Sequence, residues 1–401
     1  MRTLPEARRI LAELPPLPAA VCRLDQAVSA VLAEPVRAQL PLPHADTSAM
    51  DGWAVSAGQQ RWHVRGPGAE HPGTQLPPLR PGEAIGVVTG SPVPEGTVSV
   101  LRSEHGVLAD DRLTPVPGTP DLQPGRNIRP AGIEASRGDE LLSAGQVLTP
   151  VRAAVAAVAG YDAVSVHPTP RTEIITTGSE VISEGLPAGG QVRDTFTVSL
   201  PAMVAGLGGR AARVDRLEDD VAALVQRLTD SDAELIITTG GTAHSRADTL
   251  RPALAEAGAE VLVDSVDIRP GHPALAARLP SAAMVLGLPG NPLAGFAALT
   301  LLGAPLLGAL RGAPDPLGVG VFEAAAAEAL EPARRGHRLV PVLRRDGALH
   351  STGYSRPHMM RGLARAEAFA VVPPAGIRAG ETAECHAVPG HQVPGRSVWD
   401  D

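Results

Sequence analysis

Apolar positions fall into two rhythms along this chain. Between residues 171 and 310, short runs of Ile, Leu and Val alternate with Ala- and Leu-rich stretches at helical spacing. Thr172-Glu-Ile-Ile-Thr-Thr leads into Gly178, Glu234-Leu-Ile-Ile-Thr-Thr into Gly240, and Met284-Val-Leu-Gly-Leu into Pro289 and Gly290. Each run reads as a buried strand followed by a Gly-containing loop, with helices expected over residues 196–207, 219–229 and 247–257. Such alternation predicts an α/β domain on a parallel sheet. Residues 44–135 instead carry brief Val runs between turns such as Arg65-Gly-Pro-Gly. That is the pattern of a small β domain, with one strand over residues 84–88. Residues 318–392 predict a β-barrel-like unit with strands over 338–343 and 368–372. Ala and Leu at helical spacing predict helix in residues 1–37, and an Ala/Val helix over 147–158 packing near it.

The expected fold class is therefore α/β plus β in a multidomain chain. Residues 1–38 and 138–168 form a helical linking domain, 39–137 the small β domain, 169–313 the α/β domain and 314–392 the barrel-like domain. Pro314-Asp-Pro-Leu-Gly marks the linker before the last unit, and residues 393–401 read as a disordered tail.

Composition narrows the function classes. At 401 residues the chain is too long for one ordinary compact domain. Hydrophobic residues make up 44% but aromatics only 2%, so the cores must be built of Ala, Val and Leu. No lysine is present, which excludes Schiff-base chemistry and a P-loop cation. A net charge of −8 without a basic run argues against nucleic acid as a partner. Cys22 and Cys385 lack metal or disulfide spacing, which fits a reducing cytosol. No signal-peptide pattern opens the chain. The longest apolar run, residues 296–310, is interrupted by Gly and Pro and too short to span a bilayer, so a cytoplasmic protein with no membrane partner is expected.

The candidate chemistry lies in the loops. Gly-containing loops at the carboxyl ends of parallel strands expose backbone N–H groups and line one crevice, where oxyanions bind. Taken singly, the motifs are bland. Asp51 in Asp-Gly reads as a turn, Glu234 as a strand start, Asp248 as a helix cap and Arg269-Pro-Gly-His-Pro273 as an exposed turn.

Taken together they are not. Ser48-Ala-Met-Asp-Gly-Trp-Ala, Thr89-Gly-Ser-Pro-Val-Pro-Glu-Gly96, Gly125-Arg-Asn-Ile-Arg129, Thr177-Gly-Ser-Glu180, Thr239-Gly-Gly241, Arg269-Pro-Gly-His-Pro273 and Gly287-Leu-Pro-Gly-Asn-Pro292 occur in this order, followed by a looser motif that opens at His358. Together they resemble the molybdopterin molybdenumtransferase (MoeA) family, which includes the gephyrin E domain, over roughly residues 5–390.

The resemblance implies an elongated four-domain homodimer. It implies insertion of molybdate into adenylylated molybdopterin, with Mg²⁺ assisting and AMP released. It places the cleft between the α/β domain of one subunit and the small β domain of the other, so that Asp51 and Thr89 meet Glu180 and Asp248. Breaking a phosphoanhydride calls for a divalent ion, and Glu180, Glu234 and Asp248 are the expected ligands. Gly178, Gly240, Gly241 and Thr242, with Pro289, Gly290 and Asn291, are expected to hold the pterin phosphate. Molybdate is expected against Arg269, Pro270, Gly271, His272 and Pro273: Arg269 supplies fixed charge, the prolines stiffen the loop, Gly271 allows close approach and His272 adds a titratable donor. A molybdopterin adenylyltransferase and molybdoenzyme maturation proteins are the expected partners. The sequence also departs from the family pattern. Arg269 and His272 stand where lysines are usual, Ser245 and Arg246 replace a Gly and an acid, and Val98 replaces an Asp. An adenylyltransferase-like enzyme and an inactive or scaffolding paralogue are the alternatives.

Overall fold

The computed structural model describes residues 1–58, 60–69, 71, 73–242 and 248–390. The altered Gly-Gly loop at residues 243–247 and the expected tail lie outside them.

The α/β domain is built on a sheet with spatial order Arg210–Arg216, Arg171–Thr176, Leu235–Thr239, Met284–Leu288, Leu275–Arg278, Glu260–Asp264. The first four strands are parallel. Leu275–Arg278 pairs antiparallel with both of its neighbours, so the sheet is mixed rather than parallel throughout. The cause is a tight turn, closed by Leu279 N–H to the Ala283 carbonyl at 2.8 Å, which leaves no room for a helical crossover between Leu275–Arg278 and Met284–Leu288. Alternate strand residues feed two cores. Ile174, Leu235, Ile237 and Leu286 face one side, and Ile175, Ile236 and Val285 the other. Burial on both faces is why these strands read as continuous apolar runs.

The helices are shorter than expected. Val221–Asp230 is capped by the Asp220 carboxylate, which accepts from the N–H groups of Ala222 and Ala223. Leu200–Gly206 starts late because Asp194 holds the N–H groups of Phe196 and Thr197 in a preceding turn. Leu250–Glu256 is likewise a shortened version of its prediction. Pro292–Leu310 is one helical run of 19 residues with mean hydropathy 1.9, interrupted by a π-helical turn, Leu299–Gly303, and buried from Leu293 onward. It is apolar on every face because the domain core surrounds it.

The N-terminal region departs from expectation. Only Leu4–Ala12 and the single turn Leu24–Ala27 are helical; Ala20–Arg23, Val31–Leu32 and Val36–Arg37 are strands. Pro15, Pro16 and Pro18 end the first helix. The predicted helix at 147–158 begins at Pro150, with Thr149 as its cap. It packs on the Leu24–Ala27 turn rather than on Leu4–Ala12, which joins the α/β core instead.

The small β domain has a sheet ordered Thr97–Arg102, Gly52–Ser56, Glu83–Val87, Trp62–Val64, Arg112–Pro115, Gly106–Ala109. The C-terminal sheet contains His337–Arg345 and the expected strand Ala368–Val372, and it closes on itself where Ala326 bridges to Leu349. Ile268–Arg269 adds to this sheet, which ties the following loop to both domains. A clasp joins the chain's first helix to the barrel: Arg8 donates to Glu384 Oε1 at 3.1 Å, and His386 Nε2 meets the same oxygen at 2.8 Å.

Candidate functional site

Register places Thr176 beside Thr239 and Thr239 beside Leu288, so three loops leave adjacent parallel strands at one level. They are laced together. Thr177 donates through its N–H and hydroxyl to the Thr239 carbonyl, at 3.2 and 2.9 Å, and Gly240 N–H donates to the Leu288 carbonyl at 3.0 Å. Gly240 has φ +83°, and a Cβ there would meet Thr177 Oγ1 at 3.0 Å, so glycine satisfies both the backbone and the packing. The loops open on a crevice of about 660 Å³ lined by Gly178, Glu180, Gly240, Gly241, Thr242, Asp248, Pro273, Pro289, Gly290 and Asn291. The amino end of the Pro292–Leu310 helical run faces this space through Asn291 and Pro292. A helix amino end favours an anion through its dipole.

Residues the sequence reading missed also line the crevice: Arg193, Asp194, Phe196, Asp219, His358 and Met360. Asp219 accepts the Ser179 N–H at 2.9 Å, fixing the loop that carries Glu180. Arg216 donates to the Gly178 carbonyl at 2.8 Å from the neighbouring strand. His358 and Met360 come from the C-terminal domain. Asp194 and Asp219 sit just before helical segments, where sequence cannot separate a cap from a pocket wall.

Two expectations need correction. Glu234 precedes its strand and therefore lies at the amino end of the sheet, away from the crevice. There it accepts from the Arg171 backbone at 2.7 Å and pairs with its guanidinium at 2.9 Å. It is not available to an ion shared by Glu180 and Asp248. Of the loop Arg269-Pro-Gly-His-Pro273, only Pro273 lines the crevice. Arg269 donates to the Ile268 carbonyl, and the Nδ1 of His272 meets the Val266 carbonyl at 2.9 Å. Pro270 and Gly271 do not line the crevice either. Among the described residues, positive charge at the crevice comes instead from Arg193, and His358 lines it as well.

Among the described residues no cluster of three His, Cys, Asp or Glu side chains forms a ready metal cage. Glu180, Asp219 and Asp248 nonetheless all line the crevice, Asp248 with its carboxylate buried and Oδ2 3.8 Å from Arg251 Nε. This donor set fits Mg²⁺, which takes one or two carboxylates and completes its shell with water and substrate phosphate.

Asp51 and Thr89 do not line this crevice. They form a unit of their own at the edge of the small β domain. Asp51 Oδ1 accepts the Thr89 N–H at 2.7 Å and its hydroxyl at 3.0 Å. The Thr89 N–H first, and then the hydroxyl, hold the Asp51 carboxyl below the usual carboxylate range.

The family of the MoeA N-terminal region (domain I and II) matches residues 2–160, and that described as "Probable molybdopterin binding domain" matches residues 173–309. Molybdopterin molybdenumtransferase 2 of Mycobacterium tuberculosis is 31% identical over 93% of this chain and 96% of its own length. The molybdopterin molybdenumtransferase of Haemophilus influenzae is 30% identical over 78% of each chain. In fold, the crystal structure of the molybdopterin biosynthesis MoeA protein from Pyrococcus horikoshii superposes with a TM-score of 0.78 at 22% identity, over 97% of this chain and 99% of that one. The family matches and these relatives thus define a transferase of molybdenum cofactor biosynthesis. The chain belongs to the molybdopterin molybdenumtransferase family.

Proposed function

We propose that this chain inserts molybdate into adenylylated molybdopterin with Mg²⁺-dependent release of AMP, working as a homodimer in the cytoplasm. The observation that carries the reading is the crevice. Three laced Gly loops and a helix amino end converge there with the carboxylates of Glu180, Asp219 and Asp248. The loop N–H groups of Gly241 and Gly290 cradle the phosphate end of the pterin substrate. Arg193 and His358 offer positive charge and a proton donor to the incoming tetrahedral dianion. Magnesium, when bound, supplies neutralisation of the charge that develops as the phosphoanhydride opens. Glu180 and Asp248 would hold it, and Asp219 keeps the Glu180 loop in place. Asp51 and Thr89, set apart in one chain, reach the crevice of a second copy. Exposed apolar residues on the N-terminal region, with Val21 at 80% and Val151 at 74% exposure, suit such an association. A molybdopterin adenylyltransferase would supply the substrate, and molybdoenzyme maturation proteins would receive the product.

The test is a mass measurement of the pterin product after incubation with adenylylated molybdopterin, Mg²⁺ and molybdate. A molybdenum-bearing pterin and stoichiometric AMP are expected, and Asp248→Ala should lower the rate by roughly 10–100-fold with an unchanged circular dichroism spectrum. Recovery of unaltered adenylylated pterin would overturn the reading. Consumption of ATP on molybdopterin without molybdate would assign adenylyl transfer instead.

A further inference from the structure

We infer that Asp121 is a positioning residue for the Asp51–Thr89 pair, acting through the backbone of Arg102 and Ser103. The inference rests on the reading that Asp51 takes part in the reaction. Asp121 is fully buried in the small β domain, within the turn Pro120–Leu122. Its carboxylate gathers one short stretch of chain. It accepts the Arg102 N–H at 3.1 Å, the Arg102 Nε at 3.1 and 3.2 Å, and the His105 Nδ1 at 2.8 Å. Thr119 closes the group, its hydroxyl 2.9 Å from His105 Nδ1. Arg102 and His105 flank Ser103, whose N–H donates to the Asp51 carbonyl at 3.0 Å.

Asp51 is thus held from both ends. Thr89 fixes its carboxylate, and Ser103 fixes its main chain. The neighbouring residue leaves little slack: Gly52 pairs with Arg102 in register, and a Cβ on Gly52 would fall 2.0 Å from the Leu101 carbonyl oxygen. A buried carboxylate is an expensive choice for a turn that only needs to be folded, because its charge must be compensated within the protein. Here the compensating groups, Arg102 and His105, flank Ser103, whose N–H holds the Asp51 carbonyl.

Two variants test this. Asp121→Asn removes the charge while keeping the shape. Ser103→Pro removes the N–H to Asp51, together with an exposed hydroxyl contact to Glu104. Position 103 opens a short 3-10 turn, and Arg102 has φ −62° and ψ 150°, both compatible with proline. Each variant is assayed for AMP release from adenylylated molybdopterin with Mg²⁺ and molybdate, beside Asp51→Ala. The expected result is a fall in kcat of about 10-fold with KM within about twofold of wild type, because the pterin is held by the Gly loops and a small misplacement costs rate rather than binding. The acidic limb of the kcat profile should also move upward in pH in Ser103→Pro, as the Thr89 contacts to Asp51 loosen. Wild-type kcat in Ser103→Pro, with Asp51→Ala inactive, overturns the inference and leaves the functional reading standing. A raised KM at unchanged kcat overturns it as well. Wild-type activity in Asp51→Ala removes the reading on which it rests.

Discussion

Asp121 also makes a prediction about stability that does not depend on any activity. Burial alone would raise its pKa. Hydrogen bonds from the Arg102 side chain and backbone, then from Asn127 and His105, outweigh that and hold it at about 2 against an ordinary 3.8. A carboxyl depressed in this way stabilises the fold above its unfolded pKa, and the contribution fades as pH falls through the folded value. The gap corresponds to about 2 kcal/mol. Asp121→Asn should therefore be less stable than wild type by about that amount in urea at pH 7, with the difference closing between pH 4 and pH 2. A constant difference across that range would assign the loss to packing rather than to charge. The same scale shows why Glu234 misled. A carboxylate beside a strand looks alike at either end in sequence, whereas only the carboxyl end of a parallel strand faces the crevice. Glu180 and Asp248 follow their strands; Glu234 precedes its own.

Among elements, the strands were the most legible part of the chain and the helix ends the least. Buried strands need unbroken apolar runs, and Leu235–Thr239 and Met284–Leu288 carry them. Helix starts depend on local side-chain hydrogen bonds such as that of Asp194, which periodicity does not record. The first 37 residues failed for a plainer reason: three prolines between Pro15 and Pro18 outweigh a helical spacing of Ala and Leu. His358 and Met360 were invisible as wall residues because a distant segment carries them to the crevice. Gly287 gives a test of how tightly the elements fit. A Cβ there would lie 2.5 Å from Leu250 Cδ2, 3.0 Å from Leu275 Cγ and 3.1 Å from Thr242 Cγ2. Gly287→Ala should cost roughly 1–3 kcal/mol by overpacking, measured by thermal or urea unfolding. A cost near zero would mean that Leu250 and its helix yield freely.

At the scale of the molecule, the separation of Asp51 from the crevice predicts complementation. Asp51→Ala and Asp248→Ala chains, each strongly impaired alone, should regain roughly a quarter of wild-type activity when unfolded together and refolded, because half the dimers are mixed and one site in each is intact. Light scattering should report a dimer for each variant. An inactive mixture containing verified mixed dimers would place Asp51 and Asp248 in the same chain's site or remove one of them from the chemistry.

The buried run Pro292–Leu310 has a consequence for how the protein is made. Its core is shared: residues of that run cluster with Leu4 and Leu11 near the start of the chain and with Leu339, Phe369 and Val371 of the barrel. A ribosome therefore finishes this helix before part of its cover exists. In that interval the nascent chain displays a greasy segment with the length and hydropathy of a membrane anchor, although it belongs inside a folded domain. A chain stopped after Ala313 is frozen at that moment and should pellet or copurify with chaperones, whereas the 401-residue chain should not. A soluble truncated protein with a cooperative unfolding transition would show that the α/β domain seals its own core and that the barrel arrives as a passenger.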